Sequence, residues 1–484
     1  MLCVSLMPRT TDEALVGLSE AAAVAEAAEL RLDAMAEFDL RRILAAPPCP
    51  VIVTYRPTRV GGLYDGPEAA RLAVLRDAAR LGARYVDVEH DAISALGDVP
   101  PEKTIVSYHN HQETPADLAA VHARLAETGA AVVKVAATAN HILDTVPMLR
   151  ILRDATVPTI ALSMGERGVL TRILAPKFGA HLTYAAARTG PEAAPGQVSA
   201  RDMRHLYHVD RIGPATEVYG VIADPVGHSM SPRIHNAAFA EVSRDAVYLP
   251  LWVEGDAAAF VQAMREFHFN GYSVTIPHKQ TVMAAADEIE PLAARIGAVN
   301  TLQRRGDGAL LATNTDWTAG MAAIEAVVGE GWLRGRRALI AGAGGVGRAM
   351  TFGLAQRGAA VTLADIDEPR AEALAAEVGV SHVPYADMAS EACDILLNCT
   401  PVGMHPKTDA SAVPREMLRD GMVVYDAVYN PAETRLLREA REAGCRTVSG
   451  IDHFVRQAVE QFELWTGQAA PVETMRQVVI EALG

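Results

Sequence analysis

Cysteines are few in this sequence and long apolar runs are missing, which narrows the classes of protein it can encode. Its five cysteines, Cys3, Cys49, Cys393, Cys399 and Cys445, are scattered, odd in number and without the spacing of metal ligands. They are typical of reduced thiols, so we expect a cytoplasmic protein that holds no metal. There is no run of about 18 apolar residues, and the N-terminus lacks a signal peptide's basic start, so we expect no membrane partner.

Positive charge is also scarce. The chain has 44 lysines and arginines against 59 aspartates and glutamates, a formal net charge of -15. This balance argues against non-specific binding of nucleic acid, although it does not exclude local basic pockets for an anionic small molecule. Half of the 484 residues are hydrophobic, which excludes global disorder, and the length predicts about two to four domains.

The first 210 residues alternate short β-rich apolar runs with alanine-rich amphipathic stretches. The eight runs are 2–7, 29–33, 50–56, 85–90, 104–109, 132–137, 159–164 and 181–186. Eight strands separated by helices predict right-handed βα units that close into a (β/α)8 TIM barrel. In such barrels the chemistry lies at the C-terminal ends of the strands, so polar residues near those ends are candidates for function.

Lys134 lies in the middle of the run VVKVAA, and His109 ends the preceding run. Lysine is rarely buried without a function, and burial favours the neutral amine that can form a Schiff base with a ketone. The alternative is an ammonium that pairs with a carboxylate at the barrel mouth. His109 would act as a general acid/base, although a lone histidine is more often structural. Carboxylate and hydroxyl binding is expected of further charged residues at strand ends: Glu29, Arg31, Arg56 and Arg172.

The runs ELRLD, SYHN with HQETP, VVKVAA, MGERGVLTR and APGQ make this part resemble the type I 3-dehydroquinate dehydratases along its whole length. The resemblance implies dehydration of 3-dehydroquinate to 3-dehydroshikimate through an imine on Lys134. His109 would remove the proton at C2 and then help to expel the hydroxyl. The implied substrate contacts are Ser5, Glu29, Arg31, Arg56, Arg172 and Gln197.

Two residues depart from this family's pattern. Val60 stands where a glutamate usually orients the catalytic histidine, and Ala193 stands where a serine is usual. Our hypothesis is that Glu89, on the fourth strand, takes the place of the missing glutamate.

A glycine- and proline-rich linker (187–215) leads to a new strand at 218–224, and four polar clusters follow. The clusters supply Ser229 and Ser231, Thr275 and Lys279, Asn300, and Asn314 with Asp316. Taken alone, each of these residues is most simply interpreted as part of a turn or as a helix cap. Together they predict a pocket for a small polyhydroxy acid, with a Lys–Asp pair for proton transfer.

A glycine cluster, Gly342-Ala343-Gly344-Gly345-Val346-Gly347, lies between a strand-like run and a helical pattern. This context favours a dinucleotide site, because glycines admit the pyrophosphate and the helix N-terminus binds it; the alternative is a plain tight turn. Later strands at 361–365, 394–404 and 422–430 predict an open Rossmann sheet, with Asn398 and Thr400 at its ligand crevice. Asp365 and Asp367 favour the ribose of NAD and would repel the 2′-phosphate of NADP, with only Arg370 nearby to offset them.

The motifs HSMSP, GYSVTIPHK, AVNTL, NTDW, GAGGVG, NCTPVGM, VYNP and HFVRQA make nearly all of 216–484 resemble shikimate dehydrogenase. The resemblance implies reduction of 3-dehydroshikimate to shikimate by Lys279 and Asp316, with NADP as the usual cofactor. Ser273 replaces the asparagine of many members. The implied substrate contacts are Ser229, Ser231, Thr275, Asn300, Asp316, Tyr429 and Gln457, and the residues near the nicotinamide are Met404 and Gly450.

The sequence therefore predicts three parts: a barrel (1–210), a substrate lobe (216–316 plus 450–484) and a Rossmann domain (317–449). The two resemblances imply that the halves would perform successive steps, and the fusion resembles the bifunctional dehydroquinate dehydratase/shikimate dehydrogenases. Two alternatives stay open at this point. One is oxidation of quinate or shikimate in the catabolic direction, and the other is a non-catalytic protein that senses a ligand.

Overall fold

A computed structural model describes residues 1–187 and 196–483. These residues form two compact units: the first holds residues 1–218 with two short later segments, 225–227 and 245–255, and the second holds the rest of the described chain. The boundaries of the three predicted parts stay a prediction.

The first unit contains eight parallel strands in one sheet. They are β1 (Leu2–Leu6), β2 (Ala27–Arg31), β3 (Val51–Thr54), β4 (Tyr85–Glu89), β5 (Thr104–Asn110), β6 (Val132–Thr138), β7 (Thr159–Met164) and β8 (Thr183–Ala186). The order β7-β6-β5-β4-β3-β2-β1-β8 leaves β7 and β8 at the ends. The backbone N–H of His181 donates to the carbonyl of Thr159 at 2.8 Å, which joins the two ends. This confirms the predicted (β/α)8 barrel, each strand of which matches a predicted run.

Helices cover the outside of these strands. They are α1 (Thr11–Ala22), α2 (Leu40–Leu44), α3 (Glu68–Arg80), α4 (Leu118–Ala126), α5 (Thr145–Asp154), α6 (Val169–Ile173) and α7 (Ala200–His205). Leu118 and Val121 of α4 pack with Val133 and Val135 of β6 in one buried cluster. Because the strands are buried on both faces, they read as apolar runs rather than as alternating patterns.

The second sheet has the order β10-β9-β11-β13-β14-β12 and mixes parallel with antiparallel pairs. Its strands are β9 (Glu217–Ala223), β10 (Ala246–Trp252), β11 (Gly271–Val274), β12 (Glu288–Ile289), β13 (Thr301–Arg304) and β14 (Leu310–Thr313). The helices that accompany it are α8 (Ser231–Glu241), α9 (Ala257–Met264), α10 (Pro291–Ile296) and α11 (Thr315–Val328). Asn314 caps the N-terminus of α11, because its side-chain oxygen accepts from the N–H of Asp316. This cap fixes Asp316 in the first turn of the helix.

The third sheet is wholly parallel, with the order β17-β16-β15-β18-β19-β20. Its strands are β15 (Arg337–Ala341), β16 (Ala360–Ala364), β17 (Ser381–His382), β18 (Ile395–Asn398), β19 (Val423–Asp426) and β20 (Arg446–Val448). Its helices are α12 (Gly345–Gln356), α13 (Glu368–Val378) and α14 (Arg435–Glu442). This is the strand order of a Rossmann fold, whose ligand crevice lies between β15 and β18, as predicted.

Two helices, α15 (Gly450–Thr466) and α16 (Val472–Leu483), follow the third sheet. α15 returns to the second sheet, where the side chain of Gln461 donates to the carbonyl of Asn300 at 3.1 Å. The second unit is therefore completed by residues from both sides of the Rossmann segment. No helix in the described ranges combines the length and apolarity needed to cross a membrane.

Candidate active sites

An open cavity lies in the barrel and is lined mostly by residues of the strands. Every catalytic and substrate residue predicted for this half of the chain lines it: Ser5, Glu29, Arg31, Arg56, His109, Lys134, Arg172 and Gln197. Ala193 lies outside the described residues.

Lys134 is buried at the centre of β6, with a side chain that is 6% exposed. Its Nζ donates to Oδ2 of Asp87 at 2.9 Å, to Oε1 of Glu29 at 3.2 Å and to the hydroxyl of Tyr184 at 3.1 Å. The amine is thus held in one position by two carboxylates and a phenol. Burial opposes charge on Asp87, but the nearby Arg56 and Lys134 outweigh it and hold the pKa of this carboxyl well below its usual range.

Arg56 connects this amine to the candidate base. Its Nη2 lies 3.2 Å from Oδ2 of Asp87, its Nη1 donates to Oε1 of Glu89 at 3.0 Å, and the same nitrogen lies 3.4 Å from Nδ1 of His109. Burial and the positive charges of Arg56 and Lys134 lower the pKa of His109 well below its ordinary value. The imidazole is therefore neutral near pH 7 and able to accept a proton.

The residues around His109 explain how it is held without the usual glutamate. Glu89 contacts Arg56 and Arg71, the latter at 2.7 Å, and reaches His109 only through Arg56. On the other side of the ring, His111 stacks on His109 with centroids 6.1 Å apart and an interplanar angle of 12°. Nε2 of His111 donates to the carbonyl of Val60 at 3.0 Å. Where the family usually has a glutamate side chain, this chain therefore uses the backbone of Val60 to hold a histidine that stacks on His109.

Glycine makes that contact sterically feasible. Gly61 has a φ of +76°, and a Cβ at this position would lie 2.3 Å from Nε2 of His111. The imidazole of His111 therefore lies directly against the Gly61 backbone. In the part of the chain that the structure describes, no carboxylate is hydrogen-bonded to His109, so its orientation rests on a guanidinium and a second imidazole.

Four residues of this site were not predicted as site residues from the sequence: Asp87, Tyr184, Ser107 and His111. Ser107 donates to Oδ1 of Asp87 at 2.6 Å and accepts from Nη1 of Arg56 at 3.0 Å. A signal for Asp87 was available, because a carboxylate in the middle of a buried strand is as unusual as Lys134. Tyr184 and Ser107 carry no such signal, since both are ordinary strand residues.

The second candidate site is centred on Lys279 and Asp316, which lie close together although they are 37 residues apart. Nζ of Lys279 donates to Oδ2 of Asp316 at 2.6 Å, and Nδ2 of Asn300 donates to Oδ1 at 2.9 Å. Burial would raise the pKa of Asp316, but the Lys279 ammonium outweighs it, so the pKa lies well below its usual range. The predicted Lys–Asp pair is thus present as a buried ion pair.

The remaining substrate candidates lie in the turn before α8, after strands β11 and β19, and on α15. Oγ of Ser229 accepts from the N–H of Ser231 at 3.3 Å, in the turn that begins α8. Thr275 is half-buried just after β11, and its N–H donates to the carbonyl of Ile222 at 3.0 Å. Tyr429 is half-buried and Gln457 is buried. Tyr429 stacks on Phe454 at 4.4 Å, one turn before Gln457 on α15. Ser273, which replaces the asparagine of many shikimate dehydrogenases, donates to Oε1 of Gln461 at 2.8 Å.

The glycine cluster joins β15 to α12 with its backbone tightly folded. A Cβ on Gly347 would lie 1.9 Å from the carbonyl of Gly342, and one on Gly342 would lie 2.9 Å from Cγ2 of Thr400. Nothing lies within 4 Å of a Cβ built on Gly344, so the backbone there is open to a ligand. A Cβ on Gly345 would meet Cδ of Lys279 at 3.0 Å, which places the loop beside the Lys–Asp pair.

Asp365 ends the strand after this loop. Its Oδ2 accepts from the N–H of Ala343 at 2.6 Å and its Oδ1 from the N–H of Asp367 at 2.8 Å. Arg370 lies 2.8 Å from Asp367 in an exposed ion pair. The nearby arginine is thus already neutralised by a carboxylate, and Asp365 adds a second negative charge at the edge of the loop.

The other predicted cofactor contacts lie at the same end of the sheet. Oγ1 of Thr400 donates to Oδ1 of Asn398 at 2.7 Å, just after β18, and the Met404 side chain is 46% exposed. Gly450 begins α15, where a Cβ would lie 2.3 Å from the carbonyl of Val428. Val346 is half-buried in the first turn of α12. Among the described residues, no group of histidine, cysteine, aspartate and glutamate could hold a metal ion.

Comparison with known protein families matches successive parts of the chain to different family models. Residues 2–214 match the model of type I 3-dehydroquinase, 221–302 the shikimate dehydrogenase substrate binding domain, and 450–480 the shikimate 5′-dehydrogenase C-terminal domain. Residues 336–428 match the model described as NADP oxidoreductase coenzyme F420-dependent.

Individual relatives cover one half or the whole chain. The second half is 42% identical to the shikimate dehydrogenase (NADP(+)) of Methanosarcina mazei, over 55% of this chain and 99% of that protein. It also resembles the quinate dehydrogenase of Corynebacterium glutamicum solved in complex with NAD (32% identity, TM-score 0.51, 55% of this chain and 99% of that one).

One relative spans both halves. The chloroplastic bifunctional 3-dehydroquinate dehydratase/shikimate dehydrogenase of Arabidopsis thaliana is 41% identical over 99% of this chain and 84% of its own length. Because this identity extends over almost its whole length, the chain belongs to the family of bifunctional 3-dehydroquinate dehydratase/shikimate dehydrogenases.

Proposed function

We propose that the barrel dehydrates 3-dehydroquinate and that the second unit reduces the resulting 3-dehydroshikimate to shikimate. The observation that carries the first activity is the buried Lys134 amine, held by Asp87 and Glu29 in a cavity that also contains a neutral His109. These carboxylates accept hydrogen bonds from Nζ and so fix the position from which the neutral amine attacks.

The dehydratase step follows from these positions. The neutral amine of Lys134 attacks the ketone carbon, the oxygen leaves as water, and a C=N bond to the lysine forms. His109 takes the proton at C2, the electrons form an enamine, and the neighbouring hydroxyl leaves as water with the proton that His109 returns. Hydrolysis of the imine restores Lys134, so the net change is loss of one water. Arg31, Arg56 and Arg172 suit the substrate carboxylate and hydroxyls.

In the second unit, Lys279 and Asp316 serve the ketone of the product. Lys279 donates its proton to the ketone oxygen as that oxygen gains charge, and Asp316 holds the ammonium in place at 2.6 Å. A bound nicotinamide dinucleotide supplies the hydride to the carbon. Asn300, Ser229, Ser231, Thr275, Tyr429 and Gln457 are the proposed contacts for the substrate's hydroxyls and carboxylate.

The glycine loop fits a dinucleotide, because its backbone is open at Gly344 and would be blocked by a side chain at Gly347. We infer that the cofactor is NAD. Asp365 presents a carboxylate where a ribose 2′-hydroxyl can donate to it, and Arg370 is already paired with Asp367. A 2′-phosphate would be repelled by the carboxylates of Asp365 and Asp367. The named relatives include both an NADP(+) enzyme and an NAD complex.

A two-stage assay tests the assignment. Purified protein is given 3-dehydroquinate and the conjugated ketone is followed by its ultraviolet absorbance; reduced cofactor is then added and its oxidation is followed, with shikimate identified by chromatography. Lys279→Ala serves as the control that stops the second stage only. No turnover together with tight binding of shikimate would favour a ligand sensor, and faster oxidation of quinate than of shikimate would favour the catabolic alternative.

A separate measurement tests the cofactor. We expect kcat/KM with NADH to exceed that with NADPH by at least about tenfold, since a tenfold ratio needs only about 1.4 kcal/mol of repulsion. Asp365→Ser should narrow the ratio, whereas Asp409→Ser, on the exposed surface of the same domain, should leave it unchanged. A strong NADPH preference of the wild type would overturn the inference.

The five cysteines are all free thiols, and this supports a cytoplasmic location as part of the proposal.

A further inference from the structure

His453 is a buried residue of α15 that the mechanism does not yet use. Its side chain is 7% exposed, and its Nε2 lies 3.8 Å from Oδ1 of Asp316. Asp316 is the residue that holds Lys279, so an imidazole directed at its carboxylate bears on the reducing site. A buried histidine beside a catalytic carboxylate needs a partner on its other nitrogen, because an unsatisfied ring nitrogen is costly in the interior.

That partner is Tyr425, a fully buried residue of β19, whose hydroxyl is hydrogen-bonded to Nδ1 of His453. Burial raises the pKa of Tyr425 well above its ordinary value, so the phenol keeps its proton and can donate it to Nδ1. Nδ1 is then the acceptor, which leaves Nε2 as the ring nitrogen that carries a proton. This tautomer directs an N–H at the carboxylate, whereas the other would direct a lone pair at it.

Asp316 therefore has three donors around its two oxygens. Lys279 lies on Oδ2 at 2.6 Å, Asn300 on Oδ1 at 2.9 Å, and the N–H of His453 on the Oδ1 side at 3.8 Å. At 3.8 Å the imidazole attracts the carboxylate without a full hydrogen bond. Such contacts tighten when substrate binds, since ligand-free sites hold catalytic hydrogen bonds at longer distances.

The line of contacts crosses two parts of the second unit. Tyr425 belongs to the parallel Rossmann sheet, where it pairs in register with Leu397 and Val448. Asp316 begins α11, and His453 on α15 lies between them. The contacts thus join the cofactor-binding sheet to the catalytic pair through a single side chain.

We propose that His453 is a positioning residue of the reductase site, which orients Asp316 through its Nε2–H and is itself held in the required tautomer by Tyr425. This role rests on the proposed reduction by Lys279 and Asp316. When Lys279 gives up its proton, Asp316 loses its counter-charge, and the N–H of His453 stabilises the carboxylate and keeps it in position for the amine. The effect concerns the proton-transfer step and not the binding of substrate or cofactor.

Variants of His453 in the full-length protein test this role. His453→Leu keeps much of the volume but removes the donor, and we expect kcat of the reductase to fall about tenfold to a hundredfold with little change in KM for 3-dehydroshikimate or the cofactor. His453→Gln, whose side-chain amide can donate from a similar position, should recover most of kcat. The dehydratase activity of the same molecule serves as the internal control and should not change.

A double-mutant cycle separates positioning from packing. Tyr425→Phe should lower kcat in the wild-type background but have no further effect on kcat in His453→Leu, because the phenol acts only through the imidazole. Equal losses for the Leu and Gln variants, or additive losses of kcat in the double variant, would overturn the proposal and leave a purely structural role. A wild type without reductase activity would instead refute the proposed function itself.

Discussion

Oδ2 of Asp87 accepts a hydrogen bond from Nζ of Lys134 at 2.9 Å and lies 3.2 Å from Nη2 of Arg56. One carboxylate oxygen thus faces the amine that forms the imine and the guanidinium that approaches the general base. Asp87 is completely buried, so its charge is compensated only by these neighbours.

Replacing Asp87 by asparagine should therefore damage both stability and dehydratase activity. The change leaves Lys134 and Arg56 with less counter-charge, and breaking a buried ion pair costs about 3–5 kcal/mol. We expect a large drop in Tm and a dehydratase kcat lower by about two orders of magnitude. Asp91→Asn is the matched control, because Asp91 is exposed and pairs with Arg59 at the surface. Loss of such a surface ion pair lowers the free energy of unfolding by only about 0–1 kcal/mol.

Lys134→Ala should abolish the dehydratase and spare the reductase. Removal of a nucleophile lowers kcat by at least about three orders of magnitude, whereas Lys279 and Asp316 lie in the other unit. The measurement is kcat for each step, with borohydride trapping of the lysine adduct by mass spectrometry in the wild type. Loss of both activities would contradict two separate sites.

Glu89→Gln should move the pH profile of the dehydratase. Glu89 neutralises part of the charge of Arg56, which is one cause of the low pKa of His109. With that negative charge removed, protonation of His109 becomes still less favourable, so the acid limb of kcat/KM should shift to lower pH. An unchanged profile would show that Glu89 has no influence on the base. Glu102→Gln, on the exposed surface of the same barrel, is the control.

Gly347→Ala should eliminate the reductase while the dehydratase stays active. The added Cβ would lie 1.9 Å from the carbonyl of Gly342, so the loop cannot keep its shape. We expect loss of cofactor binding by fluorescence titration. Gly344→Ala, where the Cβ meets nothing within 4 Å inside the protein, separates the two effects: it should preserve the fold and weaken binding only through contact with the ligand. Normal cofactor affinity in Gly347→Ala would refute the steric argument.

Glu460→Gln should change how stability depends on pH. Burial, with the nearby charge of Asp316, raises the pKa of Glu460 to about 7 from an ordinary value of 4.5. The folded state therefore binds this proton more tightly, so the contribution of Glu460 to stability is greatest below pH 4.5 and is lost as pH rises through 7. The variant lacks this loss, so its Tm should exceed that of the wild type above pH 7 and converge with it near pH 4.5. Glu473 is an exposed residue of α16, so Glu473→Gln should show the same dependence of Tm on pH as the wild type.

Much of this structure could be predicted because the signals are local. Each barrel strand is an apolar run buried on both faces, and the eight candidates at the strand ends meet because parallel strands end on the same side of a barrel. Asp87 escaped prediction although it satisfies the rule that identified Lys134. The contact between Glu89 and Arg71 could not be foreseen, because it depends on the packing of α3 against β4.

His453 and Tyr425 illustrate the same limit in the second unit. Neither residue type is unusual in a helix or a strand, and 28 residues separate them in the chain. Their significance comes from a third residue, Asp316, which is brought to them only when α11 and α15 pack together. Sequence motifs identify the acid and the amine but not the side chains that orient them.

The path of α15 has a consequence for the order in which the two sites form on the ribosome. Gln461 contacts Asn300 across 161 residues of chain, with the whole Rossmann sheet synthesised in between. All eight barrel strands have left the exit tunnel long before that helix is made. The nascent chain can therefore complete its dehydratase site early, whereas the reductase site must wait until α15, which follows the Rossmann sheet, has been translated.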